Sequence, residues 1–383
     1  MNEKTLSRRS ILKFAGVGVA ASAAAGAAGF AQAKSAGANW DETFEVVVVG
    51  SGGAGMAAAV KAAQTGAKKV VVLEKLAFTG GNTLTSQGFI NAADPVRQPR
   101  QGIKDSWQHH AEQSLAAGGF SANKYLRELH DPRVAGLGTD NLPGSTGEVA
   151  MAAVRVGGYL VGMDFIQSTP GAPAGKKMKL LLNFNVNGSI YVDKRGNRIV
   201  NEGERRDVIR DAVLGTPERY AYTVCDNENF MSYDEVNRAA IMKGIEIKEA
   251  WTALTIRELA EKMGVDPDGL EKTIDRYNNV FVKNGKDEDF GKTAVNLTKR
   301  IEKGPFWACY TGMTVHHTMG GLNTNTKAQL LDWQGNVIPR IYAAGEITGG
   351  IHGTNRVGGN AVLDCFVFGQ IAGENAAKEV VKA

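Results

Sequence analysis

The sequence predicts an α/β fold organised around one β-α-β unit near residue 50. Four consecutive valines at residues 46–49 form an apolar run that is too short for a helix and suits a strand buried on both faces. A glycine-rich turn follows, then an alanine-rich stretch that ends at Gly66, then a second apolar run at residues 70–73. Strand, turn, helix and strand in this order are typical of a Rossmann-like domain with a parallel sheet.

The turn itself has the spacing of a dinucleotide-binding site. Gly50, Gly52 and Gly55 fit the pattern G-x-G-x-x-G, with Ala54 inside it. These glycines would give, in turn, a tight bend, close approach of the backbone to a pyrophosphate, and close packing of helix on strand. Glu74 follows the second run, where an acid accepts hydrogen bonds from ribose hydroxyl groups. We therefore predict dinucleotide binding, and the unit alone leaves NAD and FAD as alternatives.

Composition excludes several classes of function. The chain has 383 residues, 43% of them hydrophobic, which is enough for a large core and more than one domain. Much of the formal charge of +4 lies near the N-terminus, so no basic stripe suggests nucleic-acid binding. The cysteines, Cys225, Cys309 and Cys365, are too scattered for a zinc site or a haem attachment. We expect buried thiols and no metal site.

The N-terminus has the pattern of an export signal. Arg8 and Arg9 precede an apolar, Ala- and Gly-rich segment at residues 14–30, and residues 31–33 fit an A-x-A cleavage site. This pattern predicts a twin-arginine signal peptide over residues 1–33 and a mature chain in the periplasm. The apolar segment is too short and glycine-rich to span a bilayer comfortably, so we expect no membrane span after signal cleavage, with an uncleaved anchor as the alternative.

Beyond the first unit, short helical and strand patterns follow one another. A strand is predicted at residues 190–192, with a turn at residues 194–197 after it. The densest charge cluster, at residues 201–207, is interpreted from composition alone as a solvated loop. Asp266 followed by proline predicts a capped helix start. Helices are predicted at residues 103–115, 125–129, 255–262, 267–278 and 364–378.

Four further glycine-rich motifs accompany the first unit: GGNT at residues 80–83, HHTMGG at 316–321, YAAGE at 342–346 and HGTNRVGGNA at 352–361. With GSGGAG and Glu74 they resemble, in the same order, the fumarate reductase/succinate dehydrogenase flavoprotein family. The resemblance is to its soluble, exported flavocytochrome-like branch, which includes fumarate, urocanate and acrylate reductases. It implies FAD as the cofactor and a Rossmann-like FAD-binding domain with an inserted α+β capping domain.

The same resemblance divides the chain into domains. It implies a first part of the FAD-binding domain at residues 34–165, a capping or substrate domain at 166–310, and a second part of the FAD-binding domain at 311–383. The first part is shortened between residues 83 and 116, where the family has a much longer segment. This indicates a natural compact variant or an internal deletion, which could weaken FAD binding and leave sheet edges unpaired.

The resemblance also assigns roles to individual residues. His316 and Arg356 would hold a substrate carboxylate with Gly359 and Gln167, and Arg206 would donate a proton, so that Arg206, His316 and Arg356 form the catalytic set. The residues expected to bind FAD are Gly50, Gly52, Ala54, Gly55, Glu74, Asn82, Thr83, Gln87, Gly88, His317, Glu346, Ala361 and Val362.

These residues suit the reduction of an α,β-unsaturated carboxylate, with hydride from flavin N5 and a proton from Arg206. Arginine has a pKa above 12, so it can act as an acid only if it is desolvated and crowded by other cations. Glu202 and Glu204, close by in sequence, are candidates for a proton relay to it.

One departure from the family pattern modifies the expected substrate. Where fumarate reductases bind the second carboxylate and feed the proton path, this chain has Thr169-Pro170, Leu181-Leu182 and Asn185. A dicarboxylate would lack half of its anchors, and a buried unpaired charge costs several kcal/mol. We therefore expect a monocarboxylic enoate of the urocanate, acrylate or cinnamate kind.

The chain has no haem motif, so electrons should come from a separate periplasmic cytochrome or a quinol-linked donor, as in anaerobic respiration. Three alternatives stay open. The protein could be a fumarate reductase proper, a dehydrogenase or oxidase of the same family, or a non-catalytic remnant whose flavin site failed with the deletion.

Overall fold

The structure is a computed structural model that describes residues 41–86, Gly88, Ile90, 97–100 and 119–381. The signal peptide, the helix expected at residues 103–115, Gln87 and most of the shortened join lie outside the described residues. Contacts divide the chain into two units, Met1–Thr43 and Phe44–Ala383, and everything below concerns the second unit.

The strands of the described residues are short, apart from one. In chain order they are β1 (Val46–Val49), β2 (Val70–Leu73), β3 (Leu160–Val161), β4 (Ile166–Gly171), β5 (Ser189–Val192), β6 (Ala221–Cys225), β7 (Ala250–Ala253), β8 (Phe306–Thr318), β9 (Gly321–Leu322), β10 (Gln329–Leu331) and β11 (Val337–Tyr342).

Helices separate most of these strands. In chain order they are α1 (Gly53–Gln64), α2 (Gly81–Leu84), α3 (Arg97–Arg100), α4 (Lys124–His130), α5 (Glu148–Arg155), α6 (Arg206–Leu214), α7 (Asn227–Met231), α8 (Glu235–Glu246), α9 (Ile256–Met263), α10 (Pro267–Arg276) and α11 (Asn360–Val381). Shorter turns of 3-10 helix lie at Pro132–Val134, Ala294–Asn296 and Gly345–Ile347, and a π-helix at Tyr277–Val282 continues α10.

The predicted β-α-β unit is present. β1 and β2 pair in parallel, with Val46 opposite Val70, and α1 connects them. The prediction that β1 is buried on both faces is wrong, because Val47 and Val49 are 52% and 56% exposed. Within the described residues β1 pairs only with β2. The face of this small sheet that carries Val47 and Val49 has no covering layer.

The last helix supports this unit by packing closely on α1. A Cβ atom on Gly369 would lie 2.5 Å from the Ala54 carbonyl oxygen, and one on Gly373 would lie 2.1 Å from that of Ala58. Both distances are far below van der Waals contact, so only glycine lets the two helix backbones approach this closely. The first helix is thus held by residues that follow it by about 300 positions.

The largest sheet of the described residues has five strands. Four of them follow the order β4-β8-β6-β5, and β7 also pairs with β8. β8 is 13 residues long. Its N-terminal part pairs with β6 and β7, and its C-terminal part pairs with β4. One strand therefore runs from a core formed with α9 and α10 to the motif HHTMGG. The expected domain boundary at residue 310 lies inside it, and the domain limits stay a prediction.

Several local predictions are confirmed. Tyr125 lies in α4, and Asp266 caps α10 by accepting a hydrogen bond from Asp268 N. The helix predicted at residues 255–262 is α9, which begins one residue later with Thr255 as its cap. The final helix begins at Asn360, four residues before the predicted start. Cys225 and Cys309 are buried as expected, whereas Cys365 is only partly buried.

No helix among the residues that the structure describes is both long and apolar enough to cross a membrane.

The close contact between α1 and α11 gives a stability prediction. We expect Gly373→Ala to lower the free energy of unfolding by about 3 kcal/mol, because the added methyl group would overlap the Ala58 backbone. Helix propensity alone would favour alanine by about 1 kcal/mol, so a loss isolates the contact. Gly138→Ala is the matched control, since a Cβ there meets no atom within 4 Å. Urea unfolding of both variants measures the difference, and equal midpoints would contradict the packing.

Candidate active site

The glycine turn has the geometry that the motif predicts. Gly50 has φ +101°, in the left-handed region that favours glycine. A Cβ on Gly55 would lie 2.0 Å from the Gly50 carbonyl oxygen, so the helix can pack on the turn only without a side chain there. At Gly52 the nearest atom to an added Cβ is the Gly80 oxygen, 4.0 Å away, which leaves room for a phosphate at the N-terminus of α1. Ala54 lies in the first turn of α1, packed against Gly345.

Glu74 lies just after β2 with its carboxylate held in place. Its Oε2 atom accepts hydrogen bonds from Ser51 N at 2.9 Å and Ser51 Oγ at 2.7 Å, and Oε1 accepts one from Leu76 N at 2.8 Å. Desolvation raises the pKa of this carboxyl group, but the hydrogen bonds from Leu76 and Ser51 outweigh it and lower the pKa overall. An ionised carboxylate has about four acceptor positions, so it can still accept from a ribose hydroxyl.

The GGNT turn connects the first unit to the C-terminal motifs. Thr83 Oγ1 accepts a hydrogen bond from Gly53 N at 3.0 Å, at the start of α1. Asn82 Nδ2 donates to Ser145 Oγ at 2.8 Å and to Glu346 Oε2 at 2.9 Å. Residues expected to bind one cofactor therefore meet, although 264 positions separate Asn82 from Glu346.

Several buried polar atoms around Glu346 have no hydrogen-bond partner in the described chain. They are His317 Nε2, Glu346 Oε1, Arg356 Nε, both ring nitrogens of His352 and both carboxylate oxygens of Asp364, although His352 Nε2 and Asp364 Oδ2 lie 3.4 Å apart and can pair with each other. A buried polar group without a partner costs about 1–3 kcal/mol. Such a cluster fits a polar heterocycle, as the edge of an isoalloxazine ring would be.

Burial dominates the electrostatics of this cluster. It raises the pKa of Glu346 to about 7, although Asn82 and Arg356 oppose the shift. It lowers the pKa of His317 well below the usual value, with Arg356 and His352 adding to the effect. His317 Nδ1 lies 3.6 Å from Glu346 Oε1, and we expect a neutral imidazole there.

Arg356, which is buried, and Arg206, which is partly buried, meet at one amide oxygen. Arg206 Nη1 and Arg356 Nη2 each donate a hydrogen bond of 3.0 Å to Gln167 Oε1. The amide nitrogen of Gln167 donates to Asn355 Oδ1 at 2.6 Å and to the Arg356 carbonyl oxygen at 2.8 Å, which fixes its orientation. Burial lowers the pKa of Arg206, and burial together with Arg206 lowers the pKa of Arg356 to about 10. Two cations so close together favour binding of an anion.

A β-bulge lies at the two adjacent histidines of the HHTMGG motif. Gln167 on β4 lies opposite His317, but Ser168 lies opposite Val315, so His316 is the extra residue on β8. Bulges of this kind redirect a side chain next to functional sites. His317 lies beside Glu346, whereas His316 lies beside Asp140.

Asp140 was not predicted, because it lies in a loop with no motif or characteristic spacing. Its two oxygens are both 3.1 Å from His316 Nδ1, and Lys179 Nζ lies 2.8 Å from Oδ2. Desolvation raises the pKa of Asp140, but His316 and Lys179 outweigh it and lower that pKa to about 2. Asp140 is therefore an ionised partner of the histidine.

The proposed relay through Glu202 and Glu204 is wrong. Glu202 is 3% exposed, with Arg198 Nε at 2.8 Å and Lys292 Nζ at 3.0 Å. These cations make Glu202 part of a buried structural network with Asp287. Glu204 is exposed. The expectation of a solvated loop at residues 201–207 is confirmed for residues 203–205, which are exposed, and is wrong for Asn201 and Glu202, which are buried.

The remaining residues predicted to bind substrate or FAD lie near the motif HGTNRVGGNA or next to residues that the structure does not describe. Gly359 has φ +91° just before α11, and Ala361 and Val362 lie in the first turn of that helix. Gly88 is exposed with φ +71°. Leu182 is buried in an apolar cluster with Cys225.

Comparisons with known proteins agree with this geometry. The family model of the FAD binding domain matches residues 45–129 and 115–362. The chain is 30% identical to an NADH:fumarate oxidoreductase from Klebsiella pneumoniae (strain 342), over 88% of this chain and 48% of the relative. It is also 30% identical to a urocanate reductase from Eggerthella lenta, over 87% of this chain and 74% of the relative.

Among solved structures, the open conformation of a flavocytochrome c3 fumarate reductase has 25% identity and a TM-score of 0.71, covering 89% of this chain and 79% of that one. The chain spans about half the length of several curated relatives that it matches. The alignment with the Klebsiella protein has 450 positions but covers 88% of this chain of 383, so many positions fall opposite gaps.

The corrected role of Glu202 can be tested by stability. We expect Glu202→Gln to cost about 3 kcal/mol, because it leaves Arg198 and Lys292 buried with one counter-ion fewer. Glu204→Gln, at the exposed position two residues on, should change the free energy of unfolding by less than about 0.5 kcal/mol. Chemical denaturation distinguishes the two, and a stable Glu202 variant with slowed proton transfer would restore the relay.

Proposed function

Because the chain belongs to the fumarate reductase/succinate dehydrogenase flavoprotein family, whose members are FAD-dependent oxidoreductases, we propose that it reduces an α,β-unsaturated monocarboxylate. One observation carries the proposal: Arg206 and Arg356 meet on Gln167 Oε1, in the same site as His316. This arrangement can hold a carboxylate and place a second guanidinium group beside it.

FAD fits the residues that surround the glycine turn. Gly52 leaves space for the pyrophosphate, Glu74 can accept from the ribose, and the unpartnered atoms of His317 and Glu346 suit the flavin ring. Gln87, Gly88, Ala361 and Val362 remain proposed contacts. Once reduced, bound FAD supplies a hydride equivalent to one carbon of a substrate double bond.

The chain's own residues supply the remaining steps. His316 and Arg356, with Gly359, hold the substrate carboxylate, which fixes the position of the adjoining double bond. Gln167 takes part in substrate binding by orienting the two guanidinium groups, since both hydrogens of its own amide nitrogen are already donated. Arg206 gives a proton to the other alkene carbon, so that hydride and proton together produce the saturated acid. The lowered pKa of Arg206, caused by burial, supports this role for a side chain that is otherwise a very weak acid.

The residues at the positions where the family resemblance expects a second carboxylate to bind favour one carboxylate rather than two. Leu182 lies in an apolar cluster, and Asn185 is hydrogen-bonded to Ser232 rather than set among cations. A second substrate carboxylate would need its own donors. Fumarate reduction is the second candidate, and the name of the Klebsiella relative favours it.

The setting of the reaction is part of the proposal. Arg8 and Arg9 with the apolar segment after them support twin-arginine export to the periplasm. A separate cytochrome or quinol-linked donor would return two electrons to the flavin after each turnover. The flavocytochrome neighbour supports a haem-linked source.

The substrate class is tested by flavin reoxidation. The purified protein should be yellow, and its reduced flavin should be reoxidised by acrylate, urocanate or trans-cinnamate about tenfold faster than by fumarate, because fumarate has no partner for its second charge. Absorbance of the flavin under anaerobic conditions gives the rates. Faster reoxidation by fumarate would favour the second candidate, and a colourless protein that takes up no added FAD would favour the non-catalytic remnant.

The proton donor is tested by substitution. Arg206→Lys should reduce turnover about a thousandfold and leave FAD bound, because lysine cannot reproduce the position and the forked donors of the guanidinium group. Arg205→Lys is the matched control, since Arg205 is exposed and pairs with Asp207. Steady-state rates and the flavin spectrum of each variant provide the comparison. Near-normal turnover of the Arg206 variant would exclude it as the acid.

A further inference from the structure

The hydrogen bond between Asp140 and His316 restricts how that histidine can carry protons. Both carboxylate oxygens lie 3.1 Å from Nδ1, and an ionised carboxylate can only accept hydrogen bonds. Nδ1 must therefore carry its proton, because a bare nitrogen lone pair would face a negative charge. The side chain of His316 is 32% exposed, and Nε2 is the ring nitrogen left for a ligand.

A carboxylate ligand of His316 needs a proton on Nε2 as well. Its oxygens also only accept, so they can pair with Nε2 only when that nitrogen is protonated. With Nδ1–H already committed to Asp140, this requires the doubly protonated imidazolium. Before a carboxylate binds, burial together with the positive charges of Arg356 and Arg206 lowers the pKa of His316, although Asp140 opposes the shift. The ring is then largely neutral at neutral pH.

We propose that Asp140 is a positioning residue that makes carboxylate binding proton-coupled: His316 takes up a proton at Nε2 when the substrate binds. This rests on the proposed function, because it assumes that His316 holds the substrate carboxylate. The ion pair of Asp140 with the new imidazolium compensates for the two guanidinium groups nearby. Lys179, 2.8 Å from Asp140, opposes the uptake by sharing the carboxylate.

The charged groups that face His316 set the pH range. Asp140 stays ionised, and Arg206 and Arg356 stay protonated, between about pH 6.5 and 8.5. His317 is buried and its pKa is lowered. Glu346, whose pKa burial raises to about 7, can also titrate in this range.

The sign of the effect follows from linkage. Binding raises the pKa of His316, so between its two pKa values each ligand brings one proton with it. The dissociation constant then rises by up to about tenfold per pH unit as pH increases. Below both values the ring is already charged, and above both values it stays neutral, so the slope disappears.

The test is isothermal titration calorimetry of the oxidised FAD-loaded protein with trans-cinnamate, which has no titrating group in this range. Titrations at pH 7.5 in phosphate and in Tris, which differ in ionisation enthalpy, give the number of protons taken up. We expect an uptake approaching one proton per ligand and a pH-dependent dissociation constant. Cinnamamide, a neutral amide of the same shape, should show no uptake.

Two variants separate positioning from a merely structural role. In Asp140→Asn the amide can turn its nitrogen toward Nδ1, which allows the neutral Nε2–H tautomer, so cinnamate should bind without uptake and with a flat pH profile. In Lys179→Met the carboxylate is no longer shared, so uptake should persist and tight binding should extend to higher pH. Uptake that persists in Asp140→Asn would show that it does not depend on the Asp140 carboxylate and would overturn the proposal.

The two proposals fail in different ways. If neither trans-cinnamate nor acrylate binds to the FAD-loaded protein, the proposed function fails and the proton coupling falls with it. If cinnamate binds and reoxidises reduced flavin but brings no proton with it, only the role of Asp140 is refuted.

Discussion

Two positively charged side chains donate to one acceptor, and the rest of the site depends on the groups that compensate for their mutual repulsion. Arg206 and Arg356 both donate to Gln167 Oε1, and burial lowers the pKa of each. Buried like charges are tolerated only where acceptors or counter-ions compensate. Gln167 supplies a dipole, and Asp140 supplies the nearby negative charge that acts on both arginines. The same excess of positive charge makes the site attractive to a carboxylate and makes an arginine a better acid.

One long strand, β8, carries the histidines that lie beside these arginines. β8 begins at Phe306 in a core with α9 and α10 and ends at Thr318 beside the nucleotide-binding unit. The bulge at His316 interrupts the regular pairing with β4, which resumes at His317. The two adjacent histidines have different partners, Asp140 for His316 and Glu346 for His317. We propose that the first pair serves the substrate and the second the cofactor.

The β-α-β unit is complete, but few other elements pack against its sheet. Val47 and Val49 are exposed on β1, although parallel strands are usually covered on both faces. Close packing of α11 on α1 through Gly369 and Gly373 compensates in part, because it anchors the helix whose N-terminus faces the phosphate position. The gaps in the alignment with the Klebsiella relative agree with the shortened segment that the sequence indicated. The position of α1 therefore depends on this packing as well as on the short sheet.

Local spacing let the sequence by itself determine the β-α-β unit, the roles of Gly50 and Gly55, and the cap of α10, since each depends on residues a few positions apart. Resemblance added the proposed catalytic set. Tertiary structure alone decided that Asp140 pairs with His316 across 176 positions and that Glu202 is locked in a buried ion network. Neither is visible in the sequence, because the first depends on a bulge that leaves no periodic pattern and the second on Lys292 and Asp287, which lie far along the chain from Glu202. The exposed face of β1 was missed for the same reason, since burial depends on elements that a local pattern cannot reveal.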